Sequence, residues 1–158
     1  MKIDPALIVF FASMFPLGEL RAGIPLGMYL GMPIESAFFW GELGNFVVVI
    51  LILKLLGPVS AWLMKHSAWF NRFLTKLFHL TREKHTRAYK KYGPYLVAAL
   101  VAIPFPGTGG WTGALLAFLF DMPFWKSILL ITFGNLIAGT LVALGFGGAM
   151  EFIKFIKH

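Results

Sequence analysis

The chain contains no cysteine, and only 13% of its 158 residues are charged. The absence of cysteine excludes disulfide bonds, thiolate metal sites and thiol catalysis. An ordinary soluble domain has about 25% charged residues, so the fraction of charged residues in this chain is about half of the usual fraction. Instead, 58% of the residues are hydrophobic and 16% are aromatic, which also excludes disorder, since disordered chains have low hydrophobicity. This composition predicts a chain whose main solvent is lipid.

The net charge of +7 is concentrated in one segment. Residues 58–92 hold eight Lys or Arg residues against one Glu, whereas the charges of the remaining residues cancel. In membrane proteins a short basic loop usually lies on the cytoplasmic side. We therefore expect residues 58–92 to contact membrane lipids, and we expect no nucleic-acid partner.

The same segment has the pattern of an amphipathic helix. Apolar residues at helical spacing form one stripe, and Trp62 and Trp69 suit the depth of the lipid headgroups. The stripe consists of Phe70, Phe73, Leu74, Leu77 and Phe78. The pattern predicts a helix that lies along the membrane surface; a solvated helix packed on the other helices is the alternative.

Four apolar stretches cover the rest of the chain, at residues 5–31, 34–57, 94–120 and 124–147. The second and the fourth have the ~20 residues that a spanning helix needs. In the first and the third, a cluster of Pro and Gly follows after about half that length, and a regular helix cannot continue through it. Each of these two predicts a re-entrant hairpin, which enters to mid-depth and returns. Two kinked spanning helices are the alternative, because Gly and Pro are common in membrane helices.

The chain also matches itself when it is shifted by 90 residues. Eleven positions are identical, and most of them are Pro, Gly, Asn or the Met-Pro pair rather than generic apolar residues. They are Ala12, Phe15, Pro16, Gly23, Leu26, Met32, Pro33, Gly44, Asn45, Leu51 and Gly57, which fall on Ala102, Phe105, Pro106, Gly113, Leu116, Met122, Pro123, Gly134, Asn135, Leu141 and Gly147. The match predicts two copies of one unit, a hairpin followed by a spanning helix.

The fold class that follows is an all-α integral membrane protein with a single membrane domain. Repeat 1 covers residues 5–57, a basic amphipathic link covers 58–92, repeat 2 covers 94–147, and an amphipathic tail covers 148–158. A hairpin returns to its own side and the next helix crosses, so a second unit joined by a link that does not cross must be inverted. Inverted repeats with broken helices that meet near mid-membrane are typical of secondary transporters.

Five polar residues within the apolar stretches are candidates for a substrate or ion pathway. Glu19 and Arg21 lie at the first hairpin tip, where an ionised side chain is costly and by default functional; a static ion pair is the alternative. Glu42 is a candidate proton carrier, because a carboxyl group removed from water favours its neutral form. Asn45 and Asn135 occupy equivalent positions of the two repeats, and we expect them to cap or cross-link hairpin backbone.

The second hairpin tip carries no charge but many glycines. It consists of Pro106, Gly107, Thr108, Gly109, Gly110, Trp111, Thr112 and Gly113. Free backbone N–H groups at the start of the following helix could hold an anion or a phosphate headgroup; close packing of the two hairpins is the alternative. No arrangement typical of an enzyme, a metal site or a cofactor site is present, so we expect none of these.

The segment Gly18-Glu-Leu-Arg-Ala-Gly-Ile-Pro-Leu-Gly27, together with the second tip, resembles the small multi-drug export protein family. That family is distantly similar to the DedA/VTT membrane proteins. The resemblance implies an inner-membrane transporter of a prokaryote, driven by protons. It also implies that Glu19 matches the acidic residue of the first DedA hairpin; the arginines of the second DedA hairpin have no counterpart here.

We therefore expect a multi-pass membrane protein that exports small amphipathic or cationic solutes in exchange for protons. The first alternative is a translocase of lipids or lipid phosphates that uses the glycine-rich tip as a headgroup cradle. The second alternative is a membrane scaffold without transport. Because so small a chain buries little of its own hairpins, we also expect a homodimer.

Overall fold

The computed structural model describes residues 3–84, 86–105 and 107–156, and it describes the side chains of residues 3–76, 92–105 and 107–149. The described residues form seven α-helices and no strand, so the prediction of an all-helical chain is confirmed. The helices are α1 (Pro5–Ser13), α2 (Glu19–Tyr29), α3 (Ile34–His66), α4 (Ala68–Lys84), α5 (Thr86–Ala102), α6 (Gly110–Leu119) and α7 (Phe124–Ile156).

The helix ends recur at the spacing that the sequence predicts. α2 and α6 end 90 residues apart, and α3 and α7 agree at both ends with the same shift. The turns after α2 and α6 also have the same hydrogen bonds, in which Met32 N donates to Gly27 O and Met122 N donates to Ala117 O. In both turns one residue adopts the left-handed conformation, Gly31 with φ of 85° and Asp121 with φ of 53°. The internal repeat of the sequence is therefore also a repeat of local structure.

The two long helices run antiparallel to each other. Asn45 of α3 contacts Asn135 of α7, and a Cβ atom at Gly139 would lie 3.0 Å from the Glu42 carboxylate. Nearer the start of α3, a Cβ atom at Gly147 would lie 3.2 Å from Ile34. As the residue number rises along α3, that of its partner on α7 falls.

Each long helix supports a helical hairpin through close backbone contacts. α1 and α2 pack on each other and on α3, whereas α5 and α6 pack on each other and on α7. Gly44 of α3 lies directly against Phe10 O of α1, and Gly134 of α7 lies directly against Ala98 O of α5, so any side chain at either glycine would collide with backbone. The hairpins also cross over, since α2 packs on α7 and α6 packs on α3.

Two helices extend beyond the bounds that the apolar stretches suggest. α3 continues through Pro58 to His66 instead of ending near residue 57, and α5 begins at Thr86 and passes through Pro94. A proline inside a membrane helix is tolerated where nearby side chains satisfy the freed backbone groups. At Pro58 the freed acceptor is Lys54 O, one turn earlier, and Ser60 donates its hydroxyl group to Leu56 O in the turn that follows. The predicted tail at residues 148–158 is continuous with α7 up to Ile156.

The surface of the long helices is apolar. Ile34–His66 and Phe124–Ala149 have the length and apolarity of membrane spans, and only 11% and 39% of their most apolar windows are buried inside the protein. A core helix of a soluble protein would be mostly buried. Large apolar side chains such as Leu51, Leu55, Leu129 and Phe133 are instead exposed, so lipid is the solvent that suits this surface.

Candidate functional site

The two hairpin tips meet, and Glu19 makes the central contact. We define the first tip as residues 14–21, and we extend the second tip, predicted as residues 106–113, back to residue 103, where α5 has just ended. The Glu19 carboxylate accepts hydrogen bonds from the backbone N–H groups of Gly110 and Trp111, each at 3.0 Å. These are the first two residues of α6, and the N-cap residue Gly109 has no side chain to serve them. Glu19 thus caps α6 from the opposite hairpin, where the positive end of the helix favours an anion.

The Glu19 side chain is almost fully buried, with 4% exposed, and its backbone is strained. Its φ of 49° lies in the left-handed region that a residue with a side chain seldom adopts. Strain of this kind persists only where surrounding contacts hold it, and it is concentrated at functional sites. The hydrogen bonds to α6 are contacts of this kind.

Arg21 contacts the other helix end at the second tip, the C-terminus of α5. Its Nη2 atom lies 3.1 Å from Val101 O and 3.0 Å from Ile103 O, at the C-terminus of α5. The same atom lies 3.3 Å from Thr108 O, and Nη1 pairs with the Glu19 carboxylate at 3.2 Å. A cation is favoured at the negative C-terminal end of a helix. One adjacent pair of opposite charges therefore binds both helix ends of the second hairpin.

Trp111 makes the reciprocal contact from the second hairpin. Its indole N–H group donates to Met14 O at 3.0 Å, at the C-terminus of α1. Trp111 stands 90 residues after Arg21 and is thus its counterpart in the repeat. Each of the two side chains donates to the C-terminal carbonyl groups of the opposite first helix, so the tips are fastened from both sides.

The contact between the tips is nearly closed. A pocket of about 160 Å³ remains, and Glu19, Arg21 and Gly107 are among its lining residues. The tips touch directly through the contacts of Glu19, Arg21 and Trp111. The Glu19 side chain borders this pocket.

Below the tips, Asn45 and Asn135 form a buried pair between α3 and α7. Asn135 donates its side-chain amide to Asn45 Oδ1 at 2.9 Å, and Gly110 lies directly above, since a Cβ atom there would collide with Asn45. Among the described residues, Asn45 Nδ2 and Asn135 Oδ1 have no hydrogen-bond partner. The two asparagines thus cross-link the long helices, while the predicted contact to hairpin backbone is absent from the described hydrogen bonds.

Glu42 lies apart from this cluster. It faces Gly139 of α7, and its Oε1 atom is buried without a hydrogen-bond partner in the described part of the chain. Its counterpart in the repeat, Thr132, likewise has a buried hydroxyl group with no described partner. A buried carboxyl oxygen without a partner is an unusual arrangement, and it is compatible with the proton-carrier role predicted for Glu42.

The structure brings most of the predicted second tip into one cluster. Gly109 and Gly110 leave room for the Glu19 carboxylate and for Asn45, and Thr108 and Thr112 donate their hydroxyl groups to carbonyl groups of the same tip. Pro106 lies outside the described residues. Sequence reasoning missed the carbonyl groups of Met14, Val101 and Ile103, because a backbone acceptor has no signature in the sequence. The position of Trp111, 90 residues after Arg21, was the signal that could have indicated the reciprocal contact.

Comparison with known proteins identifies the family. A family model described as "Putative small multi-drug export protein" matches residues 19–141. The matched range begins at Glu19 and includes α5 and α6, the two helices of the second hairpin. No curated protein and no solved structure matches the chain. The resemblance to DedA/VTT proteins stays a prediction. Because the match covers most of the chain and is accompanied by two long apolar helices, the protein is a membrane protein that belongs to the small multi-drug export protein family.

Proposed function

We propose that the protein is a secondary transporter of a prokaryotic inner membrane, that it exports small amphipathic or cationic solutes in exchange for protons, and that the contact between the two tips is its gate. The observation that carries the proposal is the Glu19 carboxylate at the start of α6. In this position the protonation of one side chain would weaken one of the contacts between the two hairpins.

An inverted repeat with re-entrant hairpins is part of the proposal. The antiparallel course of α3 and α7 supports it, as does the contact of Asn45 with its own counterpart Asn135. Residues that are equivalent across a twofold axis and touch each other lie at that axis. With kinked spanning helices, each unit would begin and end on the same side, and α3 and α7 would run parallel.

The lengths of the hairpin helices support a tip at mid-depth. α1 has nine residues, or about 14 Å at 1.5 Å per residue, which is about half of a ~30 Å hydrocarbon core. Gly110 lies beside Asn45, which stands eleven residues after the start of α3, about 17 Å along the helix. Substrate and ion sites of inverted-repeat transporters lie at this depth, where the repeats meet.

In the proposed mechanism, the gate opens when Glu19 takes up a proton. An ionised carboxylate only accepts hydrogen bonds, whereas a protonated one has a donor on one oxygen. A proton therefore removes one acceptor that faces α6 and also removes the charge that holds Arg21. Both effects weaken the contact between the tips, and the pocket beside Glu19 leaves space for a water molecule that could deliver the proton.

A solute would bind only after the tips separate. The pocket of about 160 Å³ is smaller than the ~300–1,000 Å³ of sites for drug-sized ligands. Once Glu19 has left α6 and lost its proton, its carboxylate can attract a cationic solute. Competition of proton and cation for one carboxylate is sufficient to couple their movements. Glu42 is the second proton site of the proposal.

The lipid-phosphate alternative has less support from the site. The N–H groups of Gly110 and Trp111, which a phosphate headgroup would need, are used by Glu19. A headgroup could bind there only in a state in which Glu19 has moved away.

The test is a flux measurement in proteoliposomes that contain the full chain. We expect a pH gradient to drive tetraphenylphosphonium, an organic cation, across the membrane, and we expect Glu19→Gln to reduce its flux to that of protein-free liposomes. Glu35→Gln, which removes an exposed carboxylate at the start of α3, should leave the flux unchanged. Wild-type flux in Glu19→Gln, or movement of a labelled phospholipid in place of the cation, would overturn the proposal.

A further inference from the structure

We propose that one face of α4 is a binding surface for anionic phospholipid headgroups at the membrane surface. This surface consists of Arg72 and Lys76 with the neighbouring Asn71 and Thr75, and Trp69 and Phe73 lie beside it. The proposal does not depend on transport, since it needs only that the protein lies in a membrane.

α4 has one packed side, and its other described side chains are exposed. It packs on α3, and no other described helix makes comparable contact with it. Phe70 and Leu74 are partly buried, whereas Trp69 and Phe73 are exposed. The predicted stripe is thus divided: part of it packs on the protein, and an aromatic pair faces outward.

The aromatic pair is suited to the lipid interface. Trp69 and Phe73 stack with their rings parallel and 5.4 Å apart, and 66% of Trp69 is exposed. The exposed apolar stripe of α3, which includes Leu55, Val59 and Trp62, continues to the last turn before α4. Tryptophan prefers the boundary between hydrocarbon and headgroups, so α4 begins at the edge of the lipid-facing surface.

Two cations, Arg72 and Lys76, lie beside the aromatic pair. At 3.6 residues per turn, Arg72 and Lys76 form a stripe about 60° around the helix from Trp69 and Phe73. Both are exposed, and neither forms an ion pair with any carboxylate whose side chain is described. Basic side chains at a membrane surface attract anionic lipids.

Polar groups next to the cations complete the surface. Asn71, Arg72, Thr75 and Lys76 line a depression of about 550 Å³, and Thr75 donates its hydroxyl group to Asn71 Oδ1 at 3.2 Å. Arginine binds phosphate oxygens through two parallel N–H groups, and amide and hydroxyl groups can bind the rest of a polar headgroup. The aromatic pair favours a lipid over a free anion, because it would lie among the acyl chains of the same lipid.

Trp69 allows the contact to be measured directly. The full chain is reconstituted in phosphatidylcholine vesicles that carry a minor fraction of either brominated phosphatidylglycerol or brominated phosphatidylcholine, since bromine quenches a tryptophan that it touches. The signal of Trp69 is the difference between the wild type and Trp69→Phe. We expect brominated phosphatidylglycerol to quench Trp69 more strongly than the zwitterionic lipid does.

The matched variants decide between specific and general lipid contact. In the double variant Arg72→Gln/Lys76→Gln, the preference for the anionic lipid should fall by about tenfold or more, whereas Lys126→Gln, which removes an exposed cation at the start of α7, should keep it. Equal quenching by both lipids in the wild type, or an unchanged preference in the double variant, overturns the proposal. Loss of the preference with inorganic phosphate, but not with chloride at the same ionic strength, also overturns it, because the site would then bind a soluble anion.

Discussion

At the scale of single residues, the strained conformation of Glu19 has a clear reason. The backbone strain costs about 1–3 kcal/mol, and hydrogen bonds to a charged group contribute about 1.5–3 kcal/mol each. The two bonds to α6 and the pair with Arg21 are thus sufficient to hold the strained conformation. A residue held in this way is suited to a switch, since loss of the contacts leaves the strain without compensation.

Gly109→Ala should displace the Glu19 carboxylate. A Cβ atom at this position would collide with Glu19, and it would also crowd Arg21. We expect a loss of about 1–3 kcal/mol in the free energy of unfolding, as is usual for overpacking. Unfolding in detergent micelles measures it. Gly57→Ala is the control, because its Cβ atom meets nothing within 4 Å and alanine is the better helix former by about 0.5–1 kcal/mol. Equal stability of the two variants would contradict the described position of Glu19.

Arg21→Lys should weaken the tip contact even though the charge is kept. A lysine ammonium group is compact, so it cannot contact Glu19 and the carbonyl groups of Val101 and Ile103 in the way that a forked guanidinium does. We expect a lower unfolding temperature than in the wild type and a faster leak of protons through reconstituted vesicles. Arg72→Lys, at an exposed position of α4, should change neither quantity. An Arg21→Lys variant with wild-type stability and proton leak would show that the charge alone is sufficient.

At the scale of the helices, the asparagine pair joins α3 to α7 where they cross. Asn45→Ala and Asn135→Ala should each cost about 1–3 kcal/mol of unfolding free energy, because each leaves a buried amide without its partner. The double variant should cost less than the sum of the two, since residues that share a hydrogen bond are coupled. A double-mutant cycle in detergent micelles measures this coupling. If the losses of unfolding free energy in the two single variants simply add up in the double variant, the hydrogen bond contributes nothing to the stability of the helix crossing.

The sequence predicted the positions of the helices better than it predicted which groups Glu19 and Arg21 contact. The 90-residue shift located the equivalent ends of α2 and α6 and of α3 and α7, because Gly, Pro and Asn mark ends and crossings in both copies. Pro58 and Pro94 were wrong guides to helix ends, because both lie inside long helices, α3 and α5. A local rule counts the hydrogen bond that a proline removes, but it does not include the packing of the whole helix on its neighbours. Glu19 and Arg21 stood out as charges in an apolar stretch, but their partners are backbone groups of the other hairpin, and these have no pattern in the sequence.

At the scale of the whole molecule, the proposed gate would consist of two contacts that occupy equivalent positions in the repeat but differ in charge. Arg21 and Trp111 are counterparts, yet one is a cation and the other is neutral. Only the first hairpin supplies an anion for the opposite helix, because the counterpart of Glu19 is Gly109. A proton would therefore release one half of a contact whose other half does not titrate, and the molecule could open at one side while the Trp111 contact stays in place.

The topology of the chain can be tested with single cysteines, because the native sequence has none. We expect Ile3→Cys and Tyr29→Cys, both at exposed positions, to react with an impermeant maleimide from the same side of the membrane. Asn71→Cys and Trp125→Cys, also at exposed positions, should react from the opposite side, because α3 crosses between the two pairs. If α1 and α2 together spanned the membrane, Ile3→Cys and Tyr29→Cys would be labelled from opposite sides. That result would place the first tip within a kinked spanning helix, and the gate proposed for the meeting of two re-entrant hairpins would be wrong.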